Sequence, residues 1–476
     1  MSLNRRSFML GTAGVGLTLL ATGCGSKTPQ KYDAIILGAG ISGLHAARLL
    51  EQSGLTVAVI EARDRVGGRI LSLTDLPGHP EMGFNSMGSG YGRGLDTAKQ
   101  AGVELVEVGR RYTYGQPTGL YINGKHLSRE EWAAHPENPF PEALKPVMPA
   151  ELPFVLLGKN PPIDDWTKWC DPANAALDKP FAEFLAQQGL NEEAIRLGYD
   201  LAPYHGRNSR DVSTMMMSFN SGFVQNQIAA GPESFAAKGG NIKLPEAMAA
   251  QLKGDVILGK PVAAIEQNAG GVIVSCRDGS RFQAAKLVCS LPLAALRNVD
   301  IRPGLPALQA KAVEEVSYQP ISIAFLTAKA PFWEEDGFAP GMWSDSFSST
   351  VIPQRYGATD EEVTGLMVQA RGDLALEWDR LGAETAMAKI VADIEAMRPA
   401  AKGKLETRHY HSWAQEEFSG GAWAYHGAGQ ATTLPNVIAD RAGPISFCGE
   451  HTENVSRGVE GALASAERVA LEILAG

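Results

Sequence analysis

Cysteine is scarce in this sequence, with five among 476 residues: Cys24, Cys170, Cys276, Cys289 and Cys448. The last four are scattered without metal-ligand spacing. Cys276, Cys289 and Cys448 fall in strand-like apolar runs, where buried free thiols are the ordinary state, so neither a disulfide framework nor a metal site is expected. Beyond the first residues there is no basic run, and the formal net charge is −10. Nucleic acid, whose phosphates demand clustered Lys and Arg, is thereby excluded as a partner, and the acidity speaks for solubility. No stretch reaches the roughly 18 unbroken apolar residues of a spanning helix, so no integral membrane domain is expected. Internal repeats and low-complexity blocks are also missing.

What the chain does have is length and glycine. Its 476 residues exceed the size at which one core stops growing, which predicts two intertwined domains able to bury a cofactor. A hydrophobic content of 44% with 52 glycines describes a globular enzyme. The opening residues are of another kind. Asn4-Arg5-Arg6-Ser7-Phe8-Met9 precedes an apolar, glycine-rich run from Leu10 to Ala21, the pattern of a twin-arginine export signal. Leu20-Ala21-Thr22-Gly23-Cys24 then has the form of a lipobox, in which Cys24 would be acylated and become the mature N-terminus. The alternative is a plain cleaved signal with an incidental cysteine. With residues 1–24 as signal and Gly25 to Lys31 as a polar tether, the expected location is the periplasm, free or anchored by lipid at Cys24.

Tyr32 to Leu37 reads as a buried parallel strand, followed at once by Gly38-Ala39-Gly40-Ile41-Ser42-Gly43 and a helix-like stretch to Gln52. This is strand, G-x-G-x-x-G, helix. Gly38 permits the tight turn, Gly40 lets the backbone approach a pyrophosphate, and Gly43 lets helix and strand pack closely, while the helix N-terminus attracts phosphate. A second strand, Thr56 to Ile60, ends in Glu61, 18 residues after Gly43. A carboxylate there accepts hydrogen bonds from ribose hydroxyls and repels an NADP phosphate. FAD and NAD share these features.

The next residues, Ala62-Arg63-Asp64-Arg65-Val66-Gly67-Gly68-Arg69, read either as a solvated turn or as a second diphosphate-facing loop. In this sequence context the run from Glu61 to Arg69 resembles the flavin-containing amine oxidases, the family of monoamine and polyamine oxidases. The resemblance implies an α/β fold: a Rossmann-type FAD-binding domain with an interleaved substrate domain built on a mixed sheet plus helices. By it, Gly38 to Gly43, Glu61, Ala62, Arg63, Gly68 and Arg69 would contact FAD. So would Gly83, although Phe84 replaces the second glycine of that family motif.

The resemblance continues downstream. Gly239-Gly240-Asn241 precedes a helix-like Leu244 to Leu252, and the strand after Lys260 places Val262 where the family contacts adenine. A hairpin-like Gly270 to Phe282 has Asp278-Gly279 as its turn, and Lys286 to Pro292 resembles the strand leaving the nucleotide domain. Near the end, Ile445 to Glu450 reads as a strand entering a Gly449-Glu450 turn, then Gly458-Val459 opens a helix to Leu474. The resemblance implies that Gly449, Glu450, Gly458 and Val459 face the flavin, whose N1–C2 carbonyl locus a helix dipole stabilises. It assigns residues 32–109, 239–300 and 410–476 to the FAD-binding domain, and 110–238 and 301–409 to the substrate domain.

For the chemistry, the flavin supplies the difficult step and the protein an amine-binding environment. Trp413 to Tyr425 (Trp-Ala-Gln-Glu-Glu-Phe-Ser-Gly-Gly-Ala-Trp-Ala-Tyr) matches the segment that carries one ring of the family's aromatic cage, with Trp423 at the ring position as the catalytic candidate. Three departures stand out. Ala422 lies where covalent members carry the cysteine joined to FAD, implying noncovalent FAD. Gly458 lies where the second cage aromatic would be, leaving half a cage. Ile323 lies where the family has a water-holding lysine. Met215, Met216, Met217, Phe219 and Phe223 read as cavity wall or as core, Trp166 and Trp169 as entrance or as core, and His205 as structural.

The reaction these features imply is oxidation of a small-molecule amine, with O2 or a redox protein as acceptor. L-amino acid oxidation is an alternative. Its family arginine is replaced by Ser86, with Arg110, Arg111 and Arg207 as substitutes. Two others stay open: a flavin dehydrogenase or desaturase acting on a non-amine, and a carrier protein that binds FAD without turnover.

Overall fold

The computed structural model describes residues 30–109, 118–356, 359 and 362–476. The export signal, Cys24, Arg110 and Arg111 lie outside the described residues. The first strand runs Gln30–Leu37, so the expected tether to Lys31 is two residues too long. Gln30 and Lys31 are already in register with Phe282 and Gln283, and those backbone partners carry the ladder outward.

That strand is central in an eight-stranded sheet. Val57–Ile60 pairs with it in parallel on one side and Arg281–Cys289 on the other. Asp255–Ile257 extends the first side. On the second, Arg281–Cys289 meets the antiparallel strand Gly271–Cys276 along its first half and the parallel strand Ile445–Phe447 along its second. Val262–Asn268 and Asp300–Arg302 complete the far edge. The strands thus come from three separated stretches of chain. Alternation along Ala34, Ile35, Ile36 and Leu37 sends successive side chains to opposite faces. Ala34 and Ile36 pack under the helices Ile41–Gln52 and Gly458–Leu474, whose Leu44, Ala47, Leu463 and Ala466 are buried there. Ile35 and Leu37 pack with Val272, Val274, Leu287 and Phe447 on the other face.

A second sheet has seven strands in the order Leu405–Ser412, Ile321–Ala328, Gly365–Arg371, Thr350–Gln354, Gly341–Ser344, Thr118–Ile122 and Lys125–Leu127. Its two faces are chemically distinct. Ala324, Leu326, Leu366, Val368 and Ala370 pack against Trp378, Ile390 and Ile394 of the helices Gly372–Leu381 and Ala383–Met397. The intervening residues, Ile321, Ile323 and Met367 among them, face the nucleotide-binding part. A helical layer between residues 129 and 230 closes the third side around Trp132, Trp169, Phe181, Met215 and Met217. Cys170, Cys276, Cys289 and Cys448 are buried free thiols. Among the described residues no helix is long and apolar enough to cross a membrane.

Candidate active site

The glycine loop is a phosphate cradle by construction. A Cβ on Gly43 would lie 2.1 Å from the Gly38 carbonyl oxygen, so only glycine allows helix and strand this closeness. A Cβ on Gly40 would meet nothing within 4 Å, which leaves open space in front of that backbone. The helix beginning at Ile41 has no side-chain cap and no acidic residue in its first turn, so its free N–H groups and dipole are available to a diphosphate. Glu61 organises this end. One carboxylate oxygen accepts from Ala39 N at 2.7 Å and the other from Arg63 N at 2.9 Å. Arg63 is held in turn by Glu416 (2.8 Å) and Ser419 (2.9 Å), with Phe418 beneath its guanidinium.

A cavity of about 600 Å³ is lined by this cradle and by the exposed face of the second sheet. Gly38, Gly40, Ile41, Ser42, Glu61, Ala62, Arg63, Gly68, Arg69, Gly83, Val262, Trp423, Glu450, Gly458 and Val459 all border it. Ala39, Gly43 and Gly449 stand behind the wall: the Gly449 N–H is spent on Ser465 Oγ at 2.8 Å. Phe84 borders the cavity and therefore narrows it. In the middle, Arg69 Nη1 donates to Glu450 at 2.7 Å and to the Ala422 carbonyl at 3.0 Å. Burial opposes charge on Glu450, but the Arg69 guanidinium outweighs it and holds the carboxyl below its ordinary range. Burial pushes His426 and His451 down to about 4, leaving both rings neutral.

A profile of the flavin containing amine oxidoreductase family matches residues 41–474. The chain belongs to this family. Flavin-containing amine oxidase B of Cavia porcellus is 26% identical over 94% of this chain and 86% of its own length, and the Homo sapiens enzyme 25% over the same shares. Among solved structures, a wild-type putrescine oxidase bound to putrescine superposes with a TM-score of 0.75 at 24% identity, covering 94% of this chain and 99% of that one. Cyclohexylamine oxidase from Brevibacterium oxydans IH-35A gives 0.74 at 21%, covering 93% and 98%. Membership makes a flavin the cofactor, and the uncapped cradle fits its diphosphate.

At the substrate end of this family member, Trp423 Nε1 donates to His205 Nδ1 at 3.0 Å. His205, expected to be purely structural, therefore borders the cavity and holds the indole. Burial, reinforced by the Arg457 charge, keeps its ring neutral. With Nδ1 accepting, the ring proton sits on Nε2. The half cage left by Gly458 also changes. Tyr204 supplies a second ring, its centroid 6.0 Å from that of Trp423 with 33° between planes. Rings so close pack on each other, because a group held between two faces needs about 7 Å at contact distances of 3.5 Å on each side. Instead, Arg371 and Arg457 lie over both rings, with guanidinium carbons 5.2 to 5.8 Å from the centroids.

The sheet face explains the rest of the wall. Ile321, Ile323, Ile352 and Met367 make it apolar, and at Ile323 no basic group replaces the family lysine. The cross-strand neighbour of Ile323 is Gln369, which also lines the cavity and accepts from Arg371 Nε at 2.9 Å. Gln354 is fully buried, with both amide atoms unpartnered. Met216, Phe219 and Trp169 line the cavity, whereas Met215 and Met217 are core, Trp166 packs over Gly222, and Phe223 packs on Tyr91. Arg207 is half exposed, bonded to Asp373 at 2.8 Å, and away from the cavity. Tyr204, Arg371, Arg457, Gln354 and Gln369 were not singled out from sequence. The alternation Met367, Gln369, Arg371 was the available signal.

Proposed function

We propose that this chain oxidises an amine in the cavity between the glycine loop and Trp423, using noncovalent FAD. A flavin bound there would supply the two-electron oxidation, taking hydride from the carbon that bears the nitrogen, and water would hydrolyse the imine to an aldehyde or ketone. Gly38 to Gly43 and the helix behind them would hold the diphosphate, Glu61 would take the ribose, and Gly458 and Val459 would present a positive helix end to the ring system. Trp423 and Tyr204 border the reacting amine, with His205 fixing the indole. The apolar Ile321, Ile323 and Ile352 exclude water and favour the uncharged amine. Electrons leave to O2 or to an exported redox protein. The observation that carries this reading is the continuity of one cavity from an uncapped phosphate cradle to an aromatic floor. Putrescine in a related fold supports an amine as substrate class.

Anaerobic mixing of the holoenzyme with a panel of amines and amino acids is the test, and bleaching of the yellow colour is the expected result. A flavin left oxidised by every member would sink the assignment. Because Ala422 offers no thiol, acid precipitation should release all the colour into solution; colour retained in the pellet would contradict noncovalent binding. The twin-arginine segment supports export of the folded, FAD-loaded protein to the periplasm, with Cys24 as lipid anchor.

A further inference from the structure

Phe84 is held where it cannot withdraw. A Cβ on Gly83 would lie 2.1 Å from the Arg69 carbonyl oxygen and 3.0 Å from the Trp413 ring, so the chain just before Phe84 passes between these two with no room to shift. Phe84 N donates to the same Arg69 carbonyl at 3.3 Å. From the other side, Asn241 Nδ2 donates to the carbonyls of Phe84 (2.9 Å) and Asn85 (2.8 Å), while Asn241 N donates to Glu81 at 2.6 Å. The turn Gly239-Gly240-Asn241 thus clamps this loop. The half-buried Phe84 ring packs against the core that contains Met87 and Val459, and it also borders the cavity.

Tyr91 backs Phe84. Their ring centroids are 6.4 Å apart, and Phe223 meets Tyr91 edge-on at 6.0 Å. The Tyr91 hydroxyl oxygen lies 3.6 Å from the place of a Cβ on Gly458. Gly458 has a φ of +58°, a conformation that favours glycine, so its lack of a ring is a requirement of the backbone. Aromatic surface beside it comes from the loop 84–91 instead of the helix. Arg457, one residue earlier, reaches to 5.6 Å from the Trp423 centroid, so one arginine side chain spans the distance from this wall to the Trp423 floor.

Space here is short. The cavity of about 600 Å³ is of the size that encloses one drug-sized ligand, and it must admit a dinucleotide as well. Among the described residues that line it, four are exposed. Arg277, Asn298 and Glu417 lie on the side of Phe418 and Val262. The fourth, Asn85, follows Phe84, so the substrate side meets solvent next to this ring.

We propose that Phe84, backed by Tyr91, sets the width of the substrate, so that slender amines with an unbranched carbon next to nitrogen are preferred over amines whose nitrogen sits on a ring or a branched carbon. This rests on the amine-oxidation reading above. A broad group at that carbon has to displace a ring whose backbone is fixed from both sides, and a packed wall takes extra atoms poorly.

Hexylamine and cyclohexylamine carry the same number of carbons and are similarly basic, so they differ chiefly in width. The experiment compares them, with butylamine and sec-butylamine as a second pair, by anaerobic stopped-flow reduction of the holoenzyme. The slender member of each pair should exceed the broad one by about 10- to 100-fold in the ratio of reduction rate to dissociation constant, the discrimination that a misfitting carbon group gives. Phe84→Ala should raise the cyclohexylamine ratio by about 10-fold, Tyr91→Ala should give a smaller gain, and Phe84→Leu should keep most of the preference. A gain for one amine is not the product of a damaged fold. tert-Butylamine, which has no hydrogen on the carbon next to nitrogen and so cannot be oxidised there, should bind about 10-fold more tightly to Phe84→Ala than to the wild type by calorimetry. A wild type reduced as readily by the broad amines would overturn the proposal. So would a Phe84→Ala variant that slows all four amines alike or leaves their order unchanged, since the ring would then serve the cofactor or the fold. If none of the amines reduces the flavin, the oxidation reading falls and the proposal with it.

Discussion

Trp423 and His205, 218 positions apart in sequence, are joined by an indole N–H donated to an imidazole nitrogen at 3.0 Å. The bond ties the segment that carries the aromatic floor to the helical layer that covers it. Trp423→Ala should slow anaerobic flavin reduction by one to two powers of ten, or about 1.4 to 2.7 kcal/mol, with FAD content unchanged. His205→Ala should cost less, and the double variant no more than Trp423→Ala alone, because the imidazole acts through the indole. Additive losses would show that His205 has a separate role, and an unimpaired Trp423→Ala would remove the ring from the reaction.

The Glu61 carboxylate accepts from two backbone N–H groups, and the proposed function gives it the ribose as well. Glu61→Ala frees Ala39 N and Arg63 N in a buried place and leaves a ribose without its acceptor. FAD should bind at least about 10-fold more weakly, as expected for loss of a buried, charge-assisted hydrogen bond. Fluorescence titration of the apoprotein measures this directly; an unchanged dissociation constant would refute the ribose assignment.

Glu81 gives stability a pH dependence. Burial pushes its carboxyl up to about 8, against the lowering effect of bonds from Asn241 N and Ser72 Oγ. A folded-state pKa above the unfolded value means the folded protein binds more protons between roughly pH 4.5 and 8. The contribution is therefore complete below that window and lost as the pH rises through it. Glu81→Gln should flatten this part of the profile, so its melting temperature should fall several degrees less than that of the wild type between pH 5 and 9. Parallel profiles would show that Glu81 is ionised throughout.

Replacing Arg5 and Arg6 together by Lys should block export and leave folded, FAD-bound protein in the cytoplasm. Cell fractionation with an absorbance spectrum of each fraction measures it. Mature protein continuing to reach the periplasm would refute the twin-arginine assignment.

The nucleotide-binding end was legible because its chemistry is local. Gly38 to Gly43 and Glu61 sit on consecutive elements, and Gly43 answers a constraint set by the Gly38 carbonyl five residues before it. The substrate end was legible only where it could be aligned with the family's pattern, as a match at Trp423 and as departures at Ala422 and Ile323. Tyr204 and His205 lie in a loop without periodicity, so nothing near them announces a cavity. Arg371 was hidden differently. Gly365 to Ala370 is buried on both faces, and a strand with helices on one side and a cavity on the other shows no polar alternation until Gln369 and Arg371. Arg207 misled because an arginine in a loop looks the same in sequence whether it meets a substrate or Asp373.

The strand Arg281–Cys289 lies between Gln30–Leu37 and Ile445–Phe447, and Arg69 finds its carboxylate 381 positions later. During synthesis the first glycine loop must therefore wait for almost the whole chain before its cavity has walls. A nascent chain has no complete place for the cofactor, so flavin capture is expected only once the polypeptide is released. A chain truncated before Gly458 should emerge colourless even though every residue of the dinucleotide motif is present.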